Sequence, residues 1–393
     1  MTPPPTLELP LARETIRLSG PLALIGAVPI LLGFHPARSL VMLCVHGLRQ
    51  RVGPALRIDL PIPAEVPAVA SFMATQASRH ATTVMLLCYS PDADDFERGR
   101  AVFPHAALMH SCLDELRDSG VPVMDAVLVR AGKAWSYLHH TPRDTGRRLP
   151  ADDDPGLAHL RTAHVGAGRA VMDDRDDVAR AIAGPSPARA DASAVVILAG
   201  FGRWDSLVAN LDHRATVEAG CHLAHERLIA AIGAYLDGAS DLGTAEVWAD
   251  LIATLRIDLV RDAVLSWCLE RIGETPVGMF VDIARWVGDD FAVPILSILA
   301  LLAYRSGDGA LANVALDRAL GIDPAYRLAV LTQEFIAHGV HPTELDSLII
   351  GWADHPANPT APFWFRLDSD ADNDTGKDNE AAARPRDHTG DTQ

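Results

Sequence analysis

Cys221, His222, His225 and Glu226 crowd one stretch of helical periodicity, with Asp212 and His213 just upstream. Thiolate, imidazole and carboxylate are the ligand types of zinc, and His222 and His225, three residues apart, share a helix face. The order His-x-x-His-Glu is neither His-Glu-x-x-His nor His-x-x-Glu-His, so both zinc-protease helix motifs are absent. A polar helix face is the expectation, and no metal site is assigned. Two acidic runs, Asp152-Asp153-Asp154 and the alternating Asp368, Asp370, Asp372 and Asp374, bring carboxylates together. A calcium loop counted from Asp370 would need glycine at its sixth position and glutamate at its twelfth; Thr375 and Ala381 stand there, and Pro155 interrupts the other run. Gly166-Ala167-Gly168-Arg169 opens like a dinucleotide fingerprint but lacks the third glycine and a preceding strand. No Gly-x-Ser-x-Gly elbow occurs and no local motif pairs a serine with a histidine and an acid, so no catalytic residue and no cofactor is nominated.

The more suggestive polar groups flank the first apolar runs. His35 and Arg38 join a hydrophobic segment to a buried strand, and Arg57 and Asp59 stand two apart on the next strand, on one face. They either lock the strand pair to the preceding helix or line a small-ligand cleft at the strand ends. Asp125 interrupts an apolar strand, and a buried carboxylate needs a partner. Further on, Asp308 caps a helix start after Gly307, and Asn313, Asp317 and Arg318 follow at helical spacing as a candidate partner surface. Arg261 and Asp262, close to Arg256 and Asp258, are expected to cap or cross-link helices.

Periodicity supplies the elements that position these groups. Residues 1–17 are expected to be loose, with a short buried helix ending before Gly33. Strands over Ser39–His46 and Val52–Leu60 form a hairpin, followed by a helix at Glu65–His80, a strand at Thr82–Tyr89, a helix at Pro104–Ser119, a strand at Val121–Val129 and a last one near Trp135–Leu138. Residues 18–140 therefore read as an α/β domain with a mixed, partly parallel sheet. Residues 141–190 read as a linker with short helices and 191–366 as an all-α helical domain. Residues 367–393, acid-rich and without an apolar stripe, read as a disordered tail. Ala194–Leu198 is consistent with a strand or a helix start. Ala312, Leu316, Ala319 and Pro324 match the second helix of a tetratricopeptide unit, giving one such hairpin without a repeat array.

Composition narrows the function classes. The chain has 393 residues and a net charge of −17, a field that repels phosphate backbones, so nucleic acid is not an expected partner. Only Lys133 and Lys377 are lysines, which removes the usual donors for a phosphate-loop or Schiff-base lysine. Five widely spaced cysteines without a Cys-x-x-Cys pair suggest free thiols in a reducing cytoplasm. No continuous apolar span of membrane length occurs and Pro21–Phe34 lacks a cleavage site, so neither a membrane nor export is expected.

Val28-Pro29, Leu32–Pro36, Ser39-Leu40-Val41, Arg57–Pro61, Arg261-Asp262-Ala263 and Gly307–Ala310 with Ala315–Leu320 and Asp323-Pro324 together resemble an uncharacterised actinobacterial family, domain of unknown function 4192. The resemblance runs from about Leu18 to Pro342. It implies a cytoplasmic actinobacterial protein and carries no activity, cofactor or catalytic residue with it. The expected function is a binding or protein-interaction module, with a small-ligand cleft in the α/β domain and a protein partner on the helical domain. The alternative is an enzyme, a hydrolase or transferase, using dispersed Asp, His and Arg side chains.

Overall fold

The structure is a computed structural model, and it describes residues 7–11, 14–47, 50–91, 103–139, 145–150, 154–166, 169–238, 242–270, 277–340 and 344. The acidic tail, the Asp152-Asp153 pair and Gly168 lie outside these residues.

Eight strands form one mixed sheet in the order β2-β1-β4-β3-β5-β6-β7-β8. They are β1 (Leu7–Leu11), β2 (Glu14–Leu18), β3 (Ser39–His46), β4 (Arg51–Asp59), β5 (Thr83–Tyr89), β6 (Val123–Arg130), β7 (Lys133–Ser136) and β8 (Arg147–Arg148). The first two strands correct the expectation of a loose N-terminus. Glu14–Leu18 pairs antiparallel with Leu7–Leu11 and extends the sheet, and Ile16 and Leu18 of β2 are buried. β5 and β6 pair in parallel, as does a single position between β1 and β4, and the other named strand pairs are antiparallel.

Pro21 opens helix α1 (Pro21–Leu32) and Gly33, at φ +77°, closes it in the left-handed conformation that glycine adopts without strain. Apolar all round, α1 is a core helix. Helices α2 (Val66–His80) and α3 (Ala106–Asp118) cover one sheet face, where Met73, Ala77, Met109, Cys112 and Leu116 meet Leu40, Met42, Leu86, Cys88 and Leu128. Val41, Leu43, Met85, Leu87 and Val127 bury the opposite face too. Each such leucine or methionine contributes about 1.5–3 kcal/mol over an exposed one. Two-sided burial explains why β3 and β5 are apolar runs without alternation.

The segment read as a linker is part of this body. Helix α4 (Pro155–Gly166) packs on α1 and β2, close enough that a Cβ on Gly26 would lie 2.9 Å from Leu157 Cδ1. Helix α5 is Arg175–Ala181, capped by Asp174, whose carboxylate accepts from Asp177 N at 2.7 Å. The chain divides into two compact units, and the boundary differs from the sequence expectation: Leu299–Val340 belongs with the residues up to Ala183. The second unit comprises the described residues of 184–298 and residue 344. The tie within the first unit is physical. Helix α12 (Gly309–Ile322) packs against α5 and α13 (Arg327–Ala337), and Gln76 Nε2 on α2 donates to the Ala337 carbonyl at 3.3 Å. Helices α12 and α13 thus belong to the sheet unit.

The second unit contains α6 (Pro187–Val208), α7 (His213–Leu236), α8 (Leu242–Thr254), α9 (Asp258–Glu270), α10 (Val277–Trp286) and the start of α11 (Asp289–Arg305). Ala194–Leu198 lies inside α6 and is helical. Helix α6 ends at Val208, and Asp212, whose carboxylate accepts from Ala215 N at 2.8 Å, starts α7. Helix α8 packs against α6 and α7.

Candidate functional site

β3 begins, and β4 and β5 finish, at one end of the sheet. Register fixes a row across it: Asp59 on β4 faces Ser39 on β3, which faces Tyr89 on β5. Register partners point to the same face, and Arg57, two residues before Asp59, points there as well. Arg57 Nε donates to Ser39 Oγ at 2.9 Å and its Nη2 to Asp59 Oδ1 at 2.6 Å, while the guanidinium lies 5.8 Å from the Phe34 ring centroid. Ser39, fully buried, donates to the Ala37 carbonyl at 2.7 Å. Arg57 is 16% exposed and Asp59 81%, so the cation is embedded and its counter-charge faces water.

Two hydrogen-bonding groups are left over on this face at the sheet end. Arg57 uses Nε and Nη2 and makes no hydrogen bond through Nη1 among the described residues. The Tyr89 hydroxyl is buried with no partner among them, although a buried hydroxyl normally finds one. Burial drives the Tyr89 phenol far above its ordinary range, so it stays protonated and can donate. β4 and β5 flank β3 with backbones about 10 Å apart, a span that two long side chains can close. Both groups are donors, so the complementary ligand atom is an acceptor.

The backbone carries a second sign. Four described non-glycine residues adopt positive φ: Arg38 at 46°, Gln50 at 48°, His105 at 54° and Ala131 at 45°. Gln50 and Ala131 sit in tight turns between paired strands, where this conformation is ordinary. Arg38 and His105 do not, and both belong to this sheet end. Arg38 precedes Ser39 and its carbonyl accepts from Leu60 N at 2.9 Å; His105 Nε2 lies 3.2 Å from Oγ of Ser90, the residue after Tyr89. Backbone strain of this kind collects at functional sites.

The other sequence-nominated residues are placed differently. His35 is exposed, its N–H bonded to the Met172 carbonyl at 3.1 Å beside a Phe34–Met172 bridge, so it shares the loop but not the row. Asp125 does not join. It faces Met85, which faces Leu43, four residues and about 13 Å along the strands from the Ser39–Tyr89 row. There Asp125 Oδ1 accepts from Ser136 Oγ at 2.6 Å and from Ala126 N at 2.8 Å, a satisfied carboxylate. Asp308 caps α12, accepting from Leu311 N at 3.0 Å, and burial raises its pKa. Asn313 donates to the Gly309 carbonyl at 2.7 Å. Asp317 pairs with Arg175 at 2.5 Å and Arg318 Nη1 donates to the Ile182 carbonyl at 2.6 Å, so α5 and the residue after it already engage both.

Around Asp308 the fold joins two distant motif segments. A Cβ on Gly33 would lie 3.8 Å from Asp308 Oδ1, and Arg169 Nη1 donates to the Ser306 carbonyl at 3.2 Å. His164, 6% exposed, has no partner at Nε2 among the described residues. Burial, helped by the Arg169 charge, pulls its pKa down to about 4, so the imidazole is neutral near pH 7.

Among the described residues no three His, Cys, Asp or Glu side chains gather as metal ligands. His222 is exposed and His225 stands edge-on to Trp267 at 5.1 Å. All five cysteines are free and buried, and burial raises the Cys44, Cys112 and Cys221 thiols to about 12 and Cys88 to about 11, far from nucleophilic. No helix among the described residues is long and apolar enough to cross a membrane.

The family model of a domain of unknown function, DUF4192, matches residues 21–343, from the start of α1 past the end of α13. The chain belongs to the DUF4192 family. No curated protein and no solved structure matches it. The matched span of this DUF4192 chain contains the whole Ser39–Tyr89 row with Arg38, Arg57 and His105. Sequence reasoning found Arg38, Arg57 and Asp59 but missed Tyr89, Ser90 and His105. The available signal was positional: a Tyr-Ser-Pro terminus on an apolar strand and a histidine just inside a helix start.

Proposed function

We propose that this DUF4192 protein is a binding module that takes a small anionic ligand, a carboxylate or a phosphate, at the Ser39–Tyr89 end of its sheet. What carries the reading is a pair of donors there that have no partner among the described residues, Arg57 Nη1 and the buried Tyr89 hydroxyl. A guanidinium and a phenol together match an oxyanion, and charge-assisted bonds of this kind contribute about 1.5–3 kcal/mol each. Arg38 and Arg57 against Asp59 leave these named residues with an excess positive charge in a chain of net charge −17. That overall charge argues against nucleic acid as the ligand.

The test is a thermal-shift and calorimetric titration of the full chain with inorganic phosphate, pyrophosphate and succinate. At about 100-fold excess over Kd a bound anion stabilises by about 2.7 kcal/mol, a rise of several degrees. Arg57→Ala is expected to shrink the response through an affinity loss of about 10–100-fold; an equal response in that variant contradicts the site.

A protein partner on the helical unit is the second reading. Val195, Leu198 and Leu207 of α6 are large apolar side chains more than half exposed, which supports it. Five free, buried thiols fit residence in the cytoplasm.

A further inference from the structure

Ser90 directly follows β5, at the carboxyl end of a parallel strand pair joined through α3, where α/β sheets commonly hold their ligands. Its N–H reaches the Val129 carbonyl of β6 at 3.4 Å, which fixes the residue to both strands. Ser90 Oγ lies 3.2 Å from His105 Nε2, and at 3% exposure the hydroxyl is shielded from bulk water and faces an imidazole. His105 is the residue before α3, yet its side chain makes no capping bond to the helix. Its imidazole is directed at the serine instead, from a backbone conformation of φ 54° that an L-residue adopts only under local constraint. A nucleophile hydroxyl within hydrogen-bond reach of a positioned base is the geometry that activates serine.

We propose that Ser90 and His105 form a nucleophile and base pair that cleaves small esters. This goes beyond the anion reading and stands on a different pair of side chains. In the first half-reaction Ser90 Oγ bonds to the ester carbonyl carbon and its proton passes to the lone pair of His105 Nε2. The tetrahedral adduct collapses, the ester C–O bond breaks, and the leaving alcohol takes that proton. In the second half, water attacks the acyl carbon, gives its proton to His105, and the acyl–serine bond breaks with the proton returned to Ser90. The sum is ester plus water giving acid plus alcohol, with no oxidant or further reactant.

The experiment is labelling of the full chain with a small methyl fluorophosphonate, read by intact mass and peptide mapping. Oγ displaces fluoride from phosphorus, leaving a stable phosphonyl serine. The proposal predicts one adduct, mapped to Ser90, absent in Ser90→Ala and slowed at least about 100-fold in His105→Gln. Absence of a Ser90 adduct in the unchanged, folded chain overturns it, whatever the variants do. So does an equal labelling rate in a folded His105→Gln protein. Loss of phosphate or succinate binding with Ser90 labelling intact would refute the anion reading alone, and the reverse result would refute the serine–histidine pair alone.

Discussion

Two arginine–carboxylate clusters, one in each unit, use the same chemistry to opposite ends. In the helical unit Asp250 of α8, 8% exposed, receives Arg203 of α6 on Oδ1 at 2.5 and 2.9 Å and Arg227 of α7 on Oδ2 at 3.1 Å. Both carboxylate oxygens are taken and three helices are tied together. At the sheet end Arg57 pairs with one exposed carboxylate and has an Nη1 without a partner among the described residues, and the Tyr89 hydroxyl, likewise unpartnered among them, lies on the same face one row along. Saturated hydrogen bonding marks a structural clasp; unused capacity held in a buried setting marks a place for something else. An arginine near an acid in the sequence is therefore uninformative until the remaining donors are counted.

Breaking the clasp has the largest effect. Asp250→Ala leaves Arg203 without its counter-charge and Arg227 with Glu226 alone, at 3.3 Å, and is expected to cost about 3 kcal/mol, at the low end for such removals because both arginines reach solvent. Urea denaturation measures it, and a loss below about 1 kcal/mol would place Asp250 with ordinary surface acids.

Acid should act on the sheet unit next. The His164 pKa falls from 6.5 in the unfolded chain to about 4 when folded, so the unfolded state binds the proton more readily between those values. Its contribution is complete above about pH 6.5 and is lost as pH falls toward 4, amounting to about 2–3 kcal/mol. Asp308, raised by burial, acts with the opposite sign. A His164→Leu variant isolates the histidine, and its stability should change less steeply across that window; an unchanged slope refutes the assignment.

Arg57→Ala should cost only about 1 kcal/mol, since Asp59 is largely solvated and Ser39 keeps its bond to Ala37. Anion affinity should nevertheless drop about 10–100-fold. Tyr89→Phe is the smallest and most diagnostic change. Removing an unpartnered buried hydroxyl should leave stability equal or raise it by up to about 1 kcal/mol while weakening anion binding about 5–10-fold.

The sequence made strands legible where burial is two-sided and helices where one stripe is apolar, so β3–β7, α2 and α3 follow from periodicity in outline, while for the second half only the helical class does and Ala194–Leu198, inside α6, stayed open between strand and helix. β1 and β2 escaped because proline-rich composition resembles a frayed terminus, and their pairing depends on partners remote in sequence. The unit boundary escaped because the bonds that draw α12 and α13 to the sheet unit, such as Arg175–Asp317 and Gln76–Ala337, join residues far apart along the chain. Within the site, Arg57 and Asp59 were legible because a two-residue spacing on a strand sets them on one face. Ser90 and His105 flank a crossover, and no spacing rule connects the end of a strand to the start of the next helix. Asp125 looked similar to Arg57 in the sequence, and only strand register separates them.

The central claim, that the sheet end is a ligand site and the Asp250 cluster is not, is tested most directly by calorimetric titration of wild type, Tyr89→Phe and Asp250→Asn with pyrophosphate and succinate. Saturable binding that weakens about 5–10-fold in Tyr89→Phe and is unchanged in folded Asp250→Asn is the expected result. Binding that survives intact in Tyr89→Phe, or that is lost only in folded Asp250→Asn, would contradict the account.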